Sequence, residues 1–234
     1  MAGGRGTRMA PYTAVLPKPL LPVGDRPILA LLLEQLARAG VTRIDLCVGY
    51  LGELIRAYLA DAPHLLHGVE LHIHTEFEPL GTAGALSKIG DLTEPFIALN
   101  GDVLTTLDFS DLMREHLECG ATLTVAAQRH ETTIPLGVLD LDGMRVAGYT
   151  EKPSLVHTIS LGVYAVDPQV VSYLERGYVD MPTLVDRVLK AGLPVHAYMF
   201  DGPWFDIGTR DDHEAAQAEL LAHRERYLPG ARVH

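Results

Sequence analysis

From Ile28 onward, apolar strand-like runs alternate with helical stretches, and this rhythm limits the folds open to the chain. Pro27 opens a helical pattern over Ile28 to Ala39 that stops at Gly40. Val41 to Val48 reads as a buried strand, Leu51 to Ala60 as a second helix and Val69 to His74 as a second strand. Thr82 stands where it would cap a short helix over Ala83 to Ile89. Phe96 to Leu99 is an apolar strand, Ser110 to Cys119 a helix and Ala121 to Ala127 another strand. Strands alternating with helices predict βαβ units, a largely parallel sheet and helices on both of its faces.

After residue 130 the rhythm changes. Gly137 to Leu141 and Arg145 to Glu151 read as a hairpin around Asp142-Gly143. Thr158 to Val166 and Val195 to Phe200 are further strands. Pro168 to Leu174 and Pro182 to Ala191 are helices opened by proline, and Asp211 to about Arg226 is a closing helix. Neither a repeat nor a clear linker interrupts the 234 residues. The expectation is therefore one domain over 1–234, with a nucleotide-binding half to residue 130 and a substrate half beyond it.

The first residues bring in the chemistry. Ala2-Gly3-Gly4-Arg5-Gly6-Thr7-Arg8 sets three glycines around cationic side chains, and Lys18 follows between Pro17 and Pro19. Glycine amides approach a ligand closely, and successive amides aimed into one concavity make an anion nest. Arg8 and Lys18 add fixed positive charge, a combination suited to a polyphosphate under attack. Two better-known phosphate loops are excluded. No Lys-Ser or Lys-Thr closes a Walker A pattern, and Gly4-Arg5-Gly6 is followed by Thr7-Arg8-Met9, not by the third glycine of a dinucleotide fingerprint. A flexible, glycine-rich terminus is the plain alternative. In open α/β sheets a ligand loop follows a strand. Here Met1 stands where that strand should be ending, so the expectation is either a start that lies upstream or a loop short of its brace.

Composition narrows the partners. A formal charge of −11 argues against a general nucleic-acid or membrane-surface binder and leaves the opening stretch as the local positive patch. Cys47 and Cys119 fit neither a C-x-x-C nor a zinc pattern and read as reduced thiols of a cytoplasmic protein. No apolar run approaches the ~20 residues that span a bilayer, and no signal peptide precedes the loop.

Four further stretches could carry function. Asn100-Gly101-Asp102 follows an apolar strand directly, where a carboxylate points into the crevice and could hold Mg²⁺, or where the three residues simply make an Asx turn. Asp206 lies between bulky apolar residues and needs a partner or a metal, Asp211 being the more natural helix cap. Glu78 to Gly84 is a turn with two glycines that could border a nucleobase or be a plain turn. Glu151-Lys152 could meet sugar hydroxyls and a second phosphate, or be an exposed ion pair. His72 and His74 share one strand face and read as solvated, not as metal ligands.

Taken together and in order, AGGRGTRMAPYT, LPKPLLPVGDRPIL, EFEPLGTAGAL, LNGDVL, TEKP, SLGVYAVDP and GPWFDIGTRDD resemble the sugar-phosphate nucleotidyltransferases, most of all the short mannose-1-phosphate guanylyltransferase-like branch. The resemblance covers nearly the whole chain. It implies an α/β, Rossmann-like GT-A nucleotidyltransferase fold with a mixed, mostly parallel sheet and helices on both faces. It implies the reaction of an NTP with a sugar 1-phosphate to give an NDP-sugar and pyrophosphate, with Mg²⁺ as cofactor. By the same resemblance Ala2, Gly3, Gly4, Gly6, Thr7 and Arg8 hold the nucleotide with Gly101, while Glu78, Gly81 and Gly84 border the base. Arg8, Lys18 and Asp102 are catalytic, and Asp102 and Asp206 hold the metal. Gly137, Glu151, Lys152 and Ser160 address the sugar phosphate. The family's N-A-G-I-Y run is here Ser160-Leu161-Gly162-Val163-Tyr164, which bears on which sugar is taken. GTP with a mannose-type or heptose 1-phosphate is the leading expectation, and UTP or dTTP with glucose 1-phosphate its nearest rival. A GT-A glycosyltransferase and a non-catalytic NDP-sugar-binding subunit are the rivals from other classes. The expected partners are small molecules, with neither a nucleic-acid polymer nor a membrane, and a homo-oligomer is left open.

Overall fold

A computed structural model describes residues 1–66, 68–175 and 177–228. Tight 3₁₀ turns at Thr7–Met9, Tyr12–Ala14 and Lys18–Leu20 lead into a small ladder of β1 (Pro22–Val23) with β2 (Arg26–Pro27). There follow α1 (Ile28–Arg38), β3 (Arg43–Val48), α2 (Gly52–Asp61), β4 (Glu70–Thr75), α3 (Gly81–Gly84), β5 (Phe96–Leu99), β6 (Val103–Thr105) and α4 (Phe109–Cys119). The second half supplies β7 (Leu123–Thr133), β8 (Gly137–Asp142), β9 (Arg145–Glu151), β10 (Ser154–Val166), α5 (Met181–Lys190), β11 (Val195–Met199), β12 (Trp204–Asp206) and α6 (Arg210–Tyr227).

The main sheet has the order β11-β7-β10-β5, and β3 pairs separately with β4. The parallel pairing that the alternation predicts is found in β3–β4 and β7–β11. β10 runs antiparallel to both β5 and β7 and makes the sheet mixed. Its side chains alternate between two cores, as the pleat requires. Val163 and Ala165 join α1 and α4 through residues such as Leu31 and Leu112. Tyr164 and Val166 join α5 through Met181, Leu184 and Val188. Helices therefore cover both faces, and strands from both halves of the chain share one sheet.

Local differences from the sequence reading have local causes. Thr82 does not cap its helix; its hydroxyl accepts the N–H of Met181 at 2.8 Å. The turn starts instead at Gly81, and the N–H groups of Ala83 and Gly84 both donate to the Val179 carbonyl. α6 is capped by Thr209, whose hydroxyl accepts the Asp212 N–H while the Asp212 carboxylate accepts the Thr209 N–H, so Asp211 is only a first-turn acid. β7 and β10 run past their apolar cores into exposed polar arms, paired as far as Ser154 with Thr133, because cross-strand bonding sustains them where hydrophobic alternation has ended. The three-residue strands β6 and β12 are too short to show a period.

Candidate active site

The glycine loop is held from beneath by buried anchors. The Met1 ammonium donates to the Leu99 carbonyl, the Ala2 N–H to Cys47 and the Gly101 N–H to Met1, all at 2.8 Å. Met1-Ala2 thus sits between the ends of β3 and β5, and Ala2 bridges Val48 in parallel. Gly6 takes a left-handed φ of 58°, which glycine adopts without strain. Its carbonyl accepts the Thr13 hydroxyl, and Met9, 1% exposed, pins the 3₁₀ turn that carries Arg8. The loop is structured, which disposes of the flexible-terminus alternative.

Two carboxylates face this loop. Asp102 follows β5 and leads into β6, and β6 pairs antiparallel with β12 so that Val103 lies opposite Asp206. That short ladder is why residues a hundred positions apart meet. The Lys18 ammonium ion-pairs with Asp102 Oδ2 and lies 3.8 Å from Asp206 Oδ1. Buried Pro17 and Pro19 fix the segment that presents it. The Arg8 guanidinium packs over Gly208, where a Cβ would approach it to 3.2 Å. Burial, and then the charge of Asp102, push the Asp206 carboxyl above the usual carboxylate range, against the opposing pull of Lys18 and Arg8.

Two adjoining cavities open here and share Met1, Gly4 and Asp102. The first, about 240 Å³, is lined by the loop with Arg8, Lys18, Gly101, Asp102 and Gly208. The second, about 250 Å³, reaches Glu76, Gly81, Asn100 and Tyr178. One wall of the first is cationic and amide-rich, as a polyphosphate requires. The second carries mixed hydrogen-bonding groups.

The residues present fit a Mg²⁺ ion. Asp102 Oδ1 is buried and has no hydrogen-bond partner, an arrangement that is costly unless a cation or donor arrives. Among the described residues no group of three or more His, Cys, Asp or Glu converges, so a permanent all-protein cage is not the match. Mg²⁺ typically takes one or two carboxylates and completes its shell with phosphate oxygens and water, which Asp102 and Asp206 could provide.

The structure gathers some expected residues and disperses others. Ala2, Gly4, Gly6, Thr7, Arg8, Lys18, Gly101 and Asp102 line the first cavity; Gly3 and Gly81 line the second. Asp206 stands beside Lys18. Glu78 is exposed and lines neither cavity, while Glu76 lines the second. Glu76 packs on Gly3 and accepts the Leu80 N–H at 3.3 Å. The signal for Glu76 was its place directly after β4, at the carboxyl edge of the sheet. Gly84 is buried against the 177–179 backbone, and its N–H is already used by Val179. Gly137, Glu151 and Lys152 lie on the exposed β8–β9 hairpin, where Gly137 pairs with Glu151 and the Glu151 carboxylate accepts the Tyr149 hydroxyl at 2.6 Å. Ser160 sits at a β10 bulge, bonded to Tyr164, two residues before Gly162, which packs against Asn100. Asn100, Tyr178 and Gly208 were given no role in the site, although Asn100 and Gly208 lie within the LNGDVL and GPWFDIGTRDD motifs; nothing in its local sequence marks Tyr178.

With that geometry in place, known proteins can be compared. Residues 1–223 match a family described as "Nucleotidyl transferase". A mannose-1-phosphate guanyltransferase beta-B of Xenopus laevis is 31% identical over 220 residues, covering 91% of this chain and 61% of its own. A UTP--glucose-1-phosphate uridylyltransferase of Synechocystis is 30% identical over 257 residues, covering 100% of this chain and 66% of its own. The chain thus spans less than two thirds of the length of these relatives. HddC from Yersinia pseudotuberculosis has the same fold, with a TM-score of 0.72, 26% identity, and 94% of this chain and 96% of that one covered. No described helix is long and apolar enough to cross a membrane.

Proposed function

The chain belongs to the nucleotidyl transferase family, and we propose that it converts a nucleoside triphosphate and a sugar 1-phosphate into an NDP-sugar and pyrophosphate. The observation that carries this reading is the placement of Lys18 between Asp102 and Asp206 at the mouth of the glycine loop. An oxygen of the sugar phosphate attacks the α-phosphorus; the bond from that phosphorus to the bridging oxygen breaks, and pyrophosphate leaves on the opposite side. The attacking oxygen is already anionic near neutral pH, so no general base is required. Loop amides of Gly3, Gly4 and Gly6 orient the triphosphate, and Arg8 and Lys18 neutralise the charge that builds on the departing pyrophosphate. Asp102 and Asp206 would hold Mg²⁺, which when bound withdraws charge from the phosphate oxygens. Lys18 then exchanges its carboxylate partners for phosphate oxygens.

For the substrates, GTP with mannose 1-phosphate or a related hexose or heptose 1-phosphate is the leading pair, supported by the guanyltransferase relative. A second reading, UTP with glucose 1-phosphate, is supported by the uridylyltransferase relative, whose match covers the whole chain. One panel tests both levels. Each NTP is mixed with several hexose and heptose 1-phosphates at a series of Mg²⁺ concentrations, and pyrophosphate is measured. Release with GTP and mannose 1-phosphate is expected. Release only with UTP and glucose 1-phosphate would replace the substrates and keep the reaction. Tight NDP-sugar binding with no release from any pair would overturn the reaction itself.

A further inference from the structure

The Gly81–Gly84 turn is fastened to a segment from the other half of the chain. The Val179 N–H donates to the Leu80 carbonyl at 2.8 Å, and the Val179 carbonyl accepts from Ala83 and Gly84 at 3.0 and 2.9 Å. The Met181 N–H donates to the Thr82 hydroxyl at 2.8 Å. The two backbones lie so close that a Cβ on Gly81 would stand 2.4 Å from the Val179 carbonyl oxygen. Val179 and Met181, 3% and 1% exposed, seat the segment in the core. Between them Asp180 caps α5 by accepting the Thr183 N–H at 2.9 Å. Residues 179–181 are therefore fixed before any ligand arrives.

Tyr178, one residue before this clasp, is different. Its ring is 69% exposed and, among the described residues, is the only aromatic ring lining the second cavity. Its hydroxyl has no hydrogen-bond partner among those residues. A lone aromatic on an open surface is ordinary. This one stands beside pinned backbone in the wall of a concavity, where stacking on a ligand costs little chain ordering. The rest of the lining suits a flat partner with polar edges. Gly3 and Gly4 bring no side chain into the space, while Glu76 offers an accepting carboxylate and Asn100 a carboxamide that donates and accepts. A phosphate placed here would meet the Glu76 carboxylate, like charge against like. A heterocyclic base has apolar faces and hydrogen-bonding edges. We propose that the Tyr178 ring stacks on the base of the bound nucleoside triphosphate. This rests on reading the site as one for an NTP. The nucleotide site then crosses the expected division at residue 130, with residues 76–84 on one side of it and Tyr178 on the other. Every base has a π-face, so the ring senses that a base is present, and discrimination between bases falls to the polar groups at the edge.

The test is equilibrium binding to the full chain at fixed Mg²⁺ without sugar phosphate, by calorimetry, with GTP, UTP and inorganic tripolyphosphate as probes. Tyr178→Ala is expected to weaken binding of the NTP that the parent prefers about tenfold or more. Tripolyphosphate affinity should change less than about twofold, because the phosphates lie in the other cavity. Tyr178→Phe keeps the ring and should restore NTP affinity to within about threefold of the parent. In the parent itself, base protons of the bound NTP should show NOEs to the Tyr178 ring, and their absence would overturn the stacking with no substitution made. Equal NTP affinity in the parent and Tyr178→Ala would overturn it as well. So would equal losses for NTP and tripolyphosphate, since the residue would then act through the fold of the loop. A Phe variant as weak as the Ala variant would assign the contact to the hydroxyl and overturn the ring contact. Binding is read apart from turnover, so the two readings fail separately. NTP binding that depends on the Tyr178 ring, without pyrophosphate release from any sugar 1-phosphate, would support the stacking and overturn the reaction. A parent that binds tripolyphosphate as tightly as either NTP would overturn the stacking and leave the reaction standing.

Discussion

The glycine loop and the β8–β9 hairpin both carry motifs that read as phosphate-binding, yet the fold treats them differently. Around the loop, four separated segments converge: Met1 to Thr7, Lys18, Asp102 and Asp206. Lys18 is held by two carboxylates, and Asp102 Oδ1 is buried without a partner. The hairpin bears Gly137, Glu151 and Lys152 and, among the described residues, pairs only with itself. Its apolar residues, among them Leu141, Met144 and Val146, are exposed. A two-stranded ribbon without a covered face is marginal by itself. The first region is organised before substrate arrives. The second shows no such convergence among the described residues. Substitutions in the loop region should therefore act on the transition state, and those on the hairpin on substrate capture.

The largest effect is expected at Asp102. Asp102→Asn keeps the shape but removes the charge that pairs with Lys18 and would hold Mg²⁺. Turnover at saturating substrates should fall about 10²–10³-fold, the range seen when a charge-stabilising group is removed from a preorganised site. Steady-state pyrophosphate release across a Mg²⁺ series measures it. Near-normal kcat at low Mg²⁺ would break the comparison at its strong end, because the converged carboxylates would then be structural.

On the hairpin the expected change is smaller and of another kind. Lys152→Ala removes one exposed cation that would meet the sugar phosphate as a point charge. The KM for sugar 1-phosphate should rise roughly tenfold, with kcat and Tm little changed. A comparable fall in kcat would mean that the hairpin is part of the organised site during the chemical step. A rise confined to the KM for NTP would exchange the two phosphate positions.

How far the sequence foretold this follows the same division. Phe96 to Leu99 was legible because an apolar strand closed by Asn-Gly-Asp has a single reading, and the structure places β5 over those four residues. The Lys18 segment was legible from its two prolines. The meeting of Asp102 with Asp206 was implied by the family resemblance alone, since locally it depends on β6 and β12, three residues each, which have no period to detect. Glu78 drew attention because it opens the turn that carries Gly81 and Gly84. Glu76 is the residue the cavity meets, through a tertiary contact with Gly3 that local pattern does not encode. The long arms of β7 and β10 escaped for a related reason: their polar residues are held by each other, not by a core.

The smallest effect is expected at Asp206, and its sign is the informative part. Burial and the neighbouring Asp102 raise its folded pKa above the unfolded value near 3.9. Between those two values the folded state binds more protons than the unfolded state, so this group's contribution to stability declines as pH rises through the window. Above the window the ionised carboxylate opposes folding; below both values its effect vanishes. Asp206→Asn removes the charge. Without Mg²⁺ the variant should therefore melt about 1–2 °C higher than the parent at neutral pH. The two should coincide below the ordinary carboxylate range. The gain is small because the side chain is 43% exposed and solvent screens it. Adding Mg²⁺ and NTP should reverse the order, since only the parent has both carboxylates to offer. A variant that melts lower at neutral pH in the absence of Mg²⁺ would show that the 3.8 Å approach to Lys18 outweighs repulsion from Asp102. The region called organised for a cation would then be an ion-pair network, already satisfied by its lysine.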